Sequence, residues 1–515
     1  MLTRAREHLN GSLRASTAAW FDKGVVLTLV IIGAGGAALR LRQYLFNRSF
    51  WIDEAAFAAS FIDRDLLALL TTPLISNQSA PPGFLISAYV SAAAFGPLDW
   101  ALRFTPLLAG LLALPLAIIL ARRELLSPIA QIAFVGIVSL SPVLVYYSSE
   151  FKPYAVDATA ALALLAAFSY RNGRLGTLVL AVVGFICLLT SLPAAFVAAP
   201  AGLMLLVSSL RTREFRKTII VGLACLSALA LHGLYLYVAG TDRQRMVWWW
   251  DNLDTFAPLP PSSTDDWLWY PKAMVELTYL TFRNFGAAIP GFHERWVDSP
   301  GIVLGAIFVT SLLVIAWRRS AILLLAASSV AVTLLAAMAQ LYPFSSRPLI
   351  FLAPVVAFIV AGGVDQLPDR IRPLLGATFV VFFVYVTATP TIDVWKHPLA
   401  RSDMRTAFSL IHDNYADGDA IVVGNRTKYI FDYYNHFHAI DGAPVLYIEE
   451  SAKGSRDTFA LLERFKRVWC VFGHGLAQAE HVIGDLRVKD VIEEDHNLAR
   501  TRVLLLMSEP SGADK

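Results

Sequence analysis

Two short acidic motifs are where this sequence most readily offers chemistry: Trp51-Ile52-Asp53-Glu54-Ala55 and Tyr147-Ser148-Ser149-Glu150-Phe151-Lys152-Pro153-Tyr154. Each borders a long apolar stretch. An ionised carboxylate is costly to keep beside hydrocarbon, so in that place it points to chemistry, ion handling or substrate binding. Asp53 directly follows an apolar helix that ends at the membrane interface and is the best placed general base. Glu54 could hydrogen-bond an acceptor, coordinate a cation or keep Asp53 oriented. The plainer account of the pair is a solvated helix N-terminus, where the macrodipole favours Asp and Glu.

The elements that must position these residues are membrane helices. With 56% hydrophobic and 16% charged residues and a mean hydropathy of +0.55, the 515-residue chain cannot be an ordinary soluble protein. A helix needs about 20 apolar residues to cross ~30 Å of hydrocarbon. About eleven stretches qualify, near 24–45, 101–121, 128–147, 155–170, 175–190, 194–209, 218–239, 301–317, 320–341, 348–364 and 373–390. The first follows Arg4, Arg6 and Arg14 and reads as a retained signal anchor. Basic joints recur at Arg122-Arg123, 171–174, 211–217, Arg318-Arg319 and 370–372, and the positive-inside rule puts them in the cytoplasm. All fall on that side if the short apolar segment 81–96 lies along the outer interface instead of crossing.

That topology sends the loops 47–100 and 240–300, the Glu150 turn, the turn Tyr342-Pro343-Phe344-Ser345-Ser346-Arg347 and everything after 391 to the outer side. Both acidic motifs and the isolated Arg347 thereby reach one membrane face. Lys152, Arg103 and Arg347 are candidates for an anionic phosphate, arginine through its bidentate fork and lysine as a point charge; each could instead anchor to anionic headgroups. Tyr146 and Tyr147 fit an interfacial aromatic belt, and Asp157 falls within the first turns of a span, where it needs a partner. Loop 240–300 holds Trp248-Trp249-Trp250, Trp267, Trp269 and Trp296, six of the twelve tryptophans, and predicts membrane-parallel helices over the site.

The order of several motifs resembles a known family. The acidic pair in the first outer loop, Ser79-Ala80-Pro81-Pro82-Gly83-Phe84 opening a short apolar helix, Ala101-Leu102-Arg103-Phe104 opening the next span, and the Tyr-Ser-Ser-Glu turn together resemble the lipid-phosphate-dependent glycosyltransferases of the GT-C fold. The nearest match is the protein O-mannosyltransferase group in its bacterial form. Many relatives have an acidic residue followed by Ala-Arg where this chain has Glu150-Phe151-Lys152. The resemblance covers roughly residues 20–390 and implies an inverting transfer of a sugar from a polyprenyl phosphate, with Asp53 as base, Glu54 beside it, and Glu150, Lys152, Arg103, Arg347 and Tyr154 binding substrate. Such a reaction needs a base near the acceptor and positive charge near the departing phosphate. The acceptor is left open among protein, lipid and glycan. No cofactor is demanded, although a divalent cation is compatible with the acidic pair, and no nucleic-acid partner is expected.

From about 393 the composition becomes that of a soluble protein. Helices are predicted near 403–415, 427–437, 456–466 and 475–486, strands at 420–424, 445–448 and 468–473, and a final hairpin from 489–494 and 501–507. This gives an extracytoplasmic α/β domain, 393–515, behind a transmembrane catalytic domain, 1–392. It has no Gly-rich phosphate loop. Asp432, His436 and His438 have metal-ligand chemistry but read better as an exposed polar segment. Cys187, Cys225 and Cys470 imply no disulfide framework. The compact architecture suggests a bacterial inner-membrane protein with its site in the periplasm. Three other readings stay open: an envelope oligosaccharide polymerase or ligase, which would use a diphosphate donor; a membrane transporter, which would show an internal repeat and charges at mid-membrane; and a non-catalytic scaffold or lipid-binding protein, which would not depend on Asp53.

Overall fold

The computed structural model describes residues 2–240, 242–282, 299–318, 320–345, 347–437, 440, 442–473, 476–498 and 500–508. These residues are mostly helical and form a polytopic membrane architecture with a C-terminal sheet. Contacts divide the chain into two compact units. The first comprises Met1–Leu45, Ala80–Ala88 and Arg103–Pro398; the second comprises Phe46–Ser79, Tyr89–Leu102 and Leu399–Lys515. The composition shift near 393 is thus close to one boundary, but the second unit also takes in most of the first outer loop.

Among the described residues of the first unit, nine helices, from Asp22–Leu45 to Arg372–Lys396, are long and apolar enough to cross a membrane. The two remaining predicted stretches form helices shorter than 18 residues. The stretch 128–147 is split into Pro128–Leu140 and Pro142–Tyr147 at Ser141, whose ψ of 119° leaves the helical region. Pro142 imposes this break, since it disfavours helical backbone in the residue before it and would clash with the preceding turn. The stretch 155–170 becomes Tyr154–Ser169, a helix of 16 residues and so about 24 Å long.

The helix Ala353–Asp365 is buried along its whole length and packs against Pro128–Leu140, Tyr154–Ser169, Thr264–Phe282 and Ser299–Arg318. Lipid tails are as apolar as leucine, so small residues that let backbones approach do much of this packing. A Cβ added to Gly36 would lie 2.8 Å from Ser139 Cβ, so the first span and Pro128–Leu140 meet there only because Gly36 has no side chain. Arg40, 1% exposed, fastens the same contact by donating to the carbonyls of Gly36, Val138 and Ser139 at 2.9–3.0 Å. At the far end of the central helix Asp365 accepts the N–H groups of Leu126 and Ser127 at 2.9 and 2.7 Å, satisfying donors where Pro128–Leu140 begins.

The second unit contains a five-stranded sheet of β1 (Ala420–Gly424), β2 (Val445–Ile448), β3 (Arg467–Phe472), β4 (Ile492–Leu498) and β5 (Thr501–Met507), ordered β2-β1-β3-β5-β4. Strands β2, β1 and β3 run parallel; β5 is antiparallel to both β3 and β4. Burial explains the order. All five residues of β1 and five of the six in β3 are buried, as interior strands require, whereas Glu493, Glu494 and Asp495 on β4 mark a charged edge. Val422, Cys470 and Leu504 meet Val482, Ile483 and Leu486 in the core. The helices Met404–Asn414 and Lys428–Phe437 join through the rings of Phe408 and Phe431, 4.7 Å apart.

Candidate functional site

The first acidic motif belongs to the second unit. Residues 47–51 are not helical, and Trp51, extended at φ −96° and ψ 174°, precedes the seven-residue helix Ile52–Ala58. Asp53 and Glu54 fall in its first turn, where unpaired N–H groups and the helix dipole favour anions. The two carboxylates are not equivalent. Glu54 is fully buried and its Oε1 lies 3.7 Å from Nη2 of the buried Arg48, whereas Asp53 is only half-buried. The contact seen for Glu54 is a buried ion pair with Arg48, which is none of the three duties expected of it. The Arg401 guanidinium lies 4.4 Å over the Trp51 ring, behind the motif.

The second motif belongs to the first unit and is folded by its own backbone. The helix Pro142–Tyr147 ends as Ser148 Oγ donates to Leu144 O at 2.6 Å and Ser149 N–H donates to Tyr146 O at 3.0 Å. Lys152 N–H donates to Glu150 O at 2.7 Å, and Pro153 opens the helix Tyr154–Ser169. Glu150 and Lys152 are both buried. Tyr146 and Tyr147 are buried too, with Tyr147 edge-on to Tyr146 at 5.2 Å and to Tyr154 at 5.3 Å. The interfacial belt expected of Tyr146 and Tyr147 is therefore corrected: ring-to-ring packing inside the unit takes them out of reach of lipid. Trp248, Trp249 and Trp267 are more than half exposed and fit a belt better; Trp296 lies outside the described residues.

Further polar groups gather near the second motif. Asp157, in the first turn of Tyr154–Ser169 and 6% exposed, has the Ser191 side chain close by. The Tyr342 hydroxyl donates to Pro348 O at 2.9 Å and is held well above the usual phenol range, first by burial, then by the nearby Asp157 carboxylate and Tyr154. Arg347, 8% exposed, begins the helical turn Arg347–Leu352, which packs on Tyr154–Ser169. Arg103, 1% exposed, caps Phe104–Glu124, which packs on the same helix. The elements carrying Arg103 and Arg347 thus both pack on the helix that Tyr154 begins, in the first unit, while Asp53 and Glu54 are held within the second.

Sequence reading missed several participants. Glu276, buried on Thr264–Phe282, accepts from Ser345 Oγ at 2.8 Å, beside the Arg347 turn. Asp99, Arg405 and Tyr434 support the backbone before Asp53. Asp99 follows Gly96-Pro97 at a helix start, a signal that suggests a cap and nothing more. Among the described residues no three His, Cys, Asp or Glu side chains are grouped to hold a metal ion. Asp432 is engaged by Lys428 Nζ at 2.7 Å and by the Tyr447 hydroxyl, and His438 lies outside the described residues.

No family model and no curated protein matches the chain. Solved structures do. ArnT from Cupriavidus metallidurans bound to undecaprenyl phosphate superposes with a TM-score of 0.53 at 12% identity, covering 94% of this chain and 99% of that one. The same protein in the apo state gives 0.53 at 14% identity over 96% and 100%. The Archaeoglobus fulgidus oligosaccharyltransferase in complex with zinc and sulfate gives 0.50 at 13% identity over 86% and 67%. At such identities the likeness speaks for architecture alone, and the architecture is that of the GT-C fold.

Proposed function

We propose that the protein is a membrane glycosyltransferase that moves a sugar from a polyprenyl-phosphate donor to an acceptor on the outer face, with inversion at the anomeric carbon. The observation that carries the reading is the difference in burial within the acidic pair: Glu54 is fully buried beside Arg48, whereas Asp53, at the start of the same helix, is half-buried. A helix-start carboxylate so placed suits a base that must be both positioned and reachable. The end-to-end likeness to a protein seen with undecaprenyl phosphate supports the donor class.

In the proposed step Asp53 takes the proton of the acceptor hydroxyl or amine as its oxygen or nitrogen bonds to the anomeric carbon. The bond from that carbon to the phosphate oxygen breaks, and the lipid phosphate leaves with the electron pair. Lys152, Arg103 and Arg347 are assigned to the phosphate, whose developing charge they would stabilise. Glu150 and Tyr154 are assigned to sugar or acceptor hydroxyls. Residues 1–392 would form the catalytic membrane domain and 393–515 the extracytoplasmic one, in a bacterial inner membrane with the site on the periplasmic side.

The test is transfer of radiolabelled sugar from polyprenyl phosphates to an envelope extract by purified wild type and Asp53→Asn. Loss of transfer in a folded variant that still binds donor supports the assignment. Equal transfer removes Asp53 from that role. Activity confined to diphosphate-linked donors would favour a polymerase or ligase instead.

A further inference from the structure

The backbone leading into Asp53 is held by a side chain 384 residues further along the chain than the group it binds. Tyr434, on the helix Lys428–Phe437 and 2% exposed, accepts the Phe50 N–H at 2.7 Å and donates its own proton to Asp99 Oδ2 at 2.6 Å. A phenol has one proton to give and lone pairs to receive, so one hydroxyl serves both contacts. Asp99 is also buried and lies 3.4 Å from Arg405 Nε, while the Arg405 backbone N–H donates to Ser49 Oγ at 3.1 Å. Tyr433 donates to Pro97 O at 2.6 Å and sets its ring 5.0 Å from that of Phe50.

Three consecutive residues, Ser49, Phe50 and Trp51, are therefore each engaged by the C-terminal α/β segment, and the helix bearing Asp53 begins directly after them. That helix has seven residues, and its cap residue Trp51 makes no side-chain capping hydrogen bond. A helix so short has little power to hold itself. Its entry is fixed from outside.

We propose that Tyr434 is a positioning residue for Asp53, its hydroxyl bridging Phe50 N–H and the Asp99 carboxylate so as to set where the base stands during transfer. This rests on Asp53 being the base, as proposed above. Tyr434 touches no reacting atom and acts through the backbone of residues 50–53. A base works only within hydrogen-bond reach of its proton, and a misplacement of about 1 Å costs on the order of 10²-fold in rate. The C-terminal segment is accordingly part of the machinery that sets the rate, through a contact that needs no substrate bound to it.

Tyr434→Phe keeps the ring and removes the bridge. The probe is undecaprenyl phosphate carrying a radiolabelled hexose, with an envelope extract as acceptor. The expected result is a fall in kcat of roughly tenfold or more with the donor KM within about twofold, the split that marks loss of transition-state placement over loss of binding. Amide hydrogen exchange should quicken at residues 49–53 and stay unchanged in β3. In an Asp53→Asn background, Tyr434→Phe should add no further loss. A kcat within about twofold of wild type while Phe50 exchange quickens overturns the proposal, as does a fall that merely tracks the folded fraction. Should Tyr434→Phe not fold, Asp99→Asn, which weakens the acceptor while keeping one, should lower kcat in the same direction by less; an unchanged kcat there overturns the proposal. Wild-type protein that transfers from no lipid-linked donor defeats the base assignment itself, a result visible before any variant is made and so distinct from failure of the bridge.

Discussion

The two acidic motifs are held by different physics. The Glu150 turn is closed by hydrogen bonds that reach two to four residues, from Ser148 to Leu144 and from Lys152 to Glu150, and lies between helices that the chain has just made. The Asp53 helix has the nearby Arg48 against Glu54, but the backbone entering it is pinned by Tyr434, Arg405 and Arg401, residues some 350 to 400 positions away. A motif built locally can be recognised from its own sequence; a motif built by distant groups can be recognised but not understood from it. The comparison also warns against equating burial with function. Asp365 is as buried as Glu150, yet it accepts two backbone N–H groups at a helix start and needs no further duty.

The sharpest way to break the comparison is to exchange charge for amide in both motifs. Asp53→Asn is expected to lower kcat by about 10²- to 10⁴-fold, the usual contribution of a positioned base, whereas Glu150→Gln should act mainly on KM. Steady-state transfer kinetics on folded protein check both, and equal effects on kcat would erase the distinction. Next in size, Arg48→Met removes a buried ion-pair partner of the Glu54 carboxylate and should cost roughly 3–5 kcal/mol of stability; Arg48→Met combined with Glu54→Gln should recover most of it. Chemical denaturation in detergent, followed by a probe in the α/β segment, reports the difference. A single variant as stable as wild type would show that the pair does not hold the helix.

A smaller effect is expected at the first unit's cation. Arg347→Lys keeps the charge and loses the planar fork, so donor KM should rise roughly tenfold with kcat little changed, provided the fork meets a phosphate. No change would return Arg347 to a headgroup-anchoring role. Smallest is the surface of the second unit. Asp495 on β4 is held below the usual carboxylate range chiefly by its hydrogen bond from Arg502, at 2.6 Å. A depressed carboxylate adds stability that is present above its unfolded value and fades as pH falls through its folded value. Arg502→Ala should therefore remove at most about 1 kcal/mol at neutral pH and flatten the acid limb, as thermal melts across pH 2–7 would register. A steeper acid limb would reverse that sign and show that other groups govern it.

Much of the fold was legible because its determinants are local. Strand Ala420–Gly424 lies where its apolar run predicts, since continuous burial writes itself into residue type, and the partly buried edge strand Val445–Ile448 also lies where expected. The final hairpin is present, with β4 shifted a few residues toward β5. The split at Pro142 was the failure of a length count, in which an apolar stretch was read through a residue that cannot continue a helix from the preceding turn. Tyr146 and Tyr147 were read from their position near a helix end, but the packing of Tyr147 against the rings of Tyr146 and Tyr154 accompanies their burial.

Sequence alone determined that this chain is a polytopic helical membrane protein with an α/β tail, and which residues carry charge near the ends of its spans. Hydropathy, charge bias and strand periodicity are properties of short windows, and they survive without knowledge of neighbours. Tertiary structure decided how those charges are used. It buried Glu54 against Arg48 and left Asp53 half-buried, and it brought Tyr434 and Asp99 to the backbone at Phe50. It also gave Asp365 to a helix start. Apart from the Arg48–Glu54 pair, these depend on groups far apart in sequence meeting in a place of low dielectric, where an unpaired charge or donor is costly and the partner that relieves it can come from anywhere in the chain.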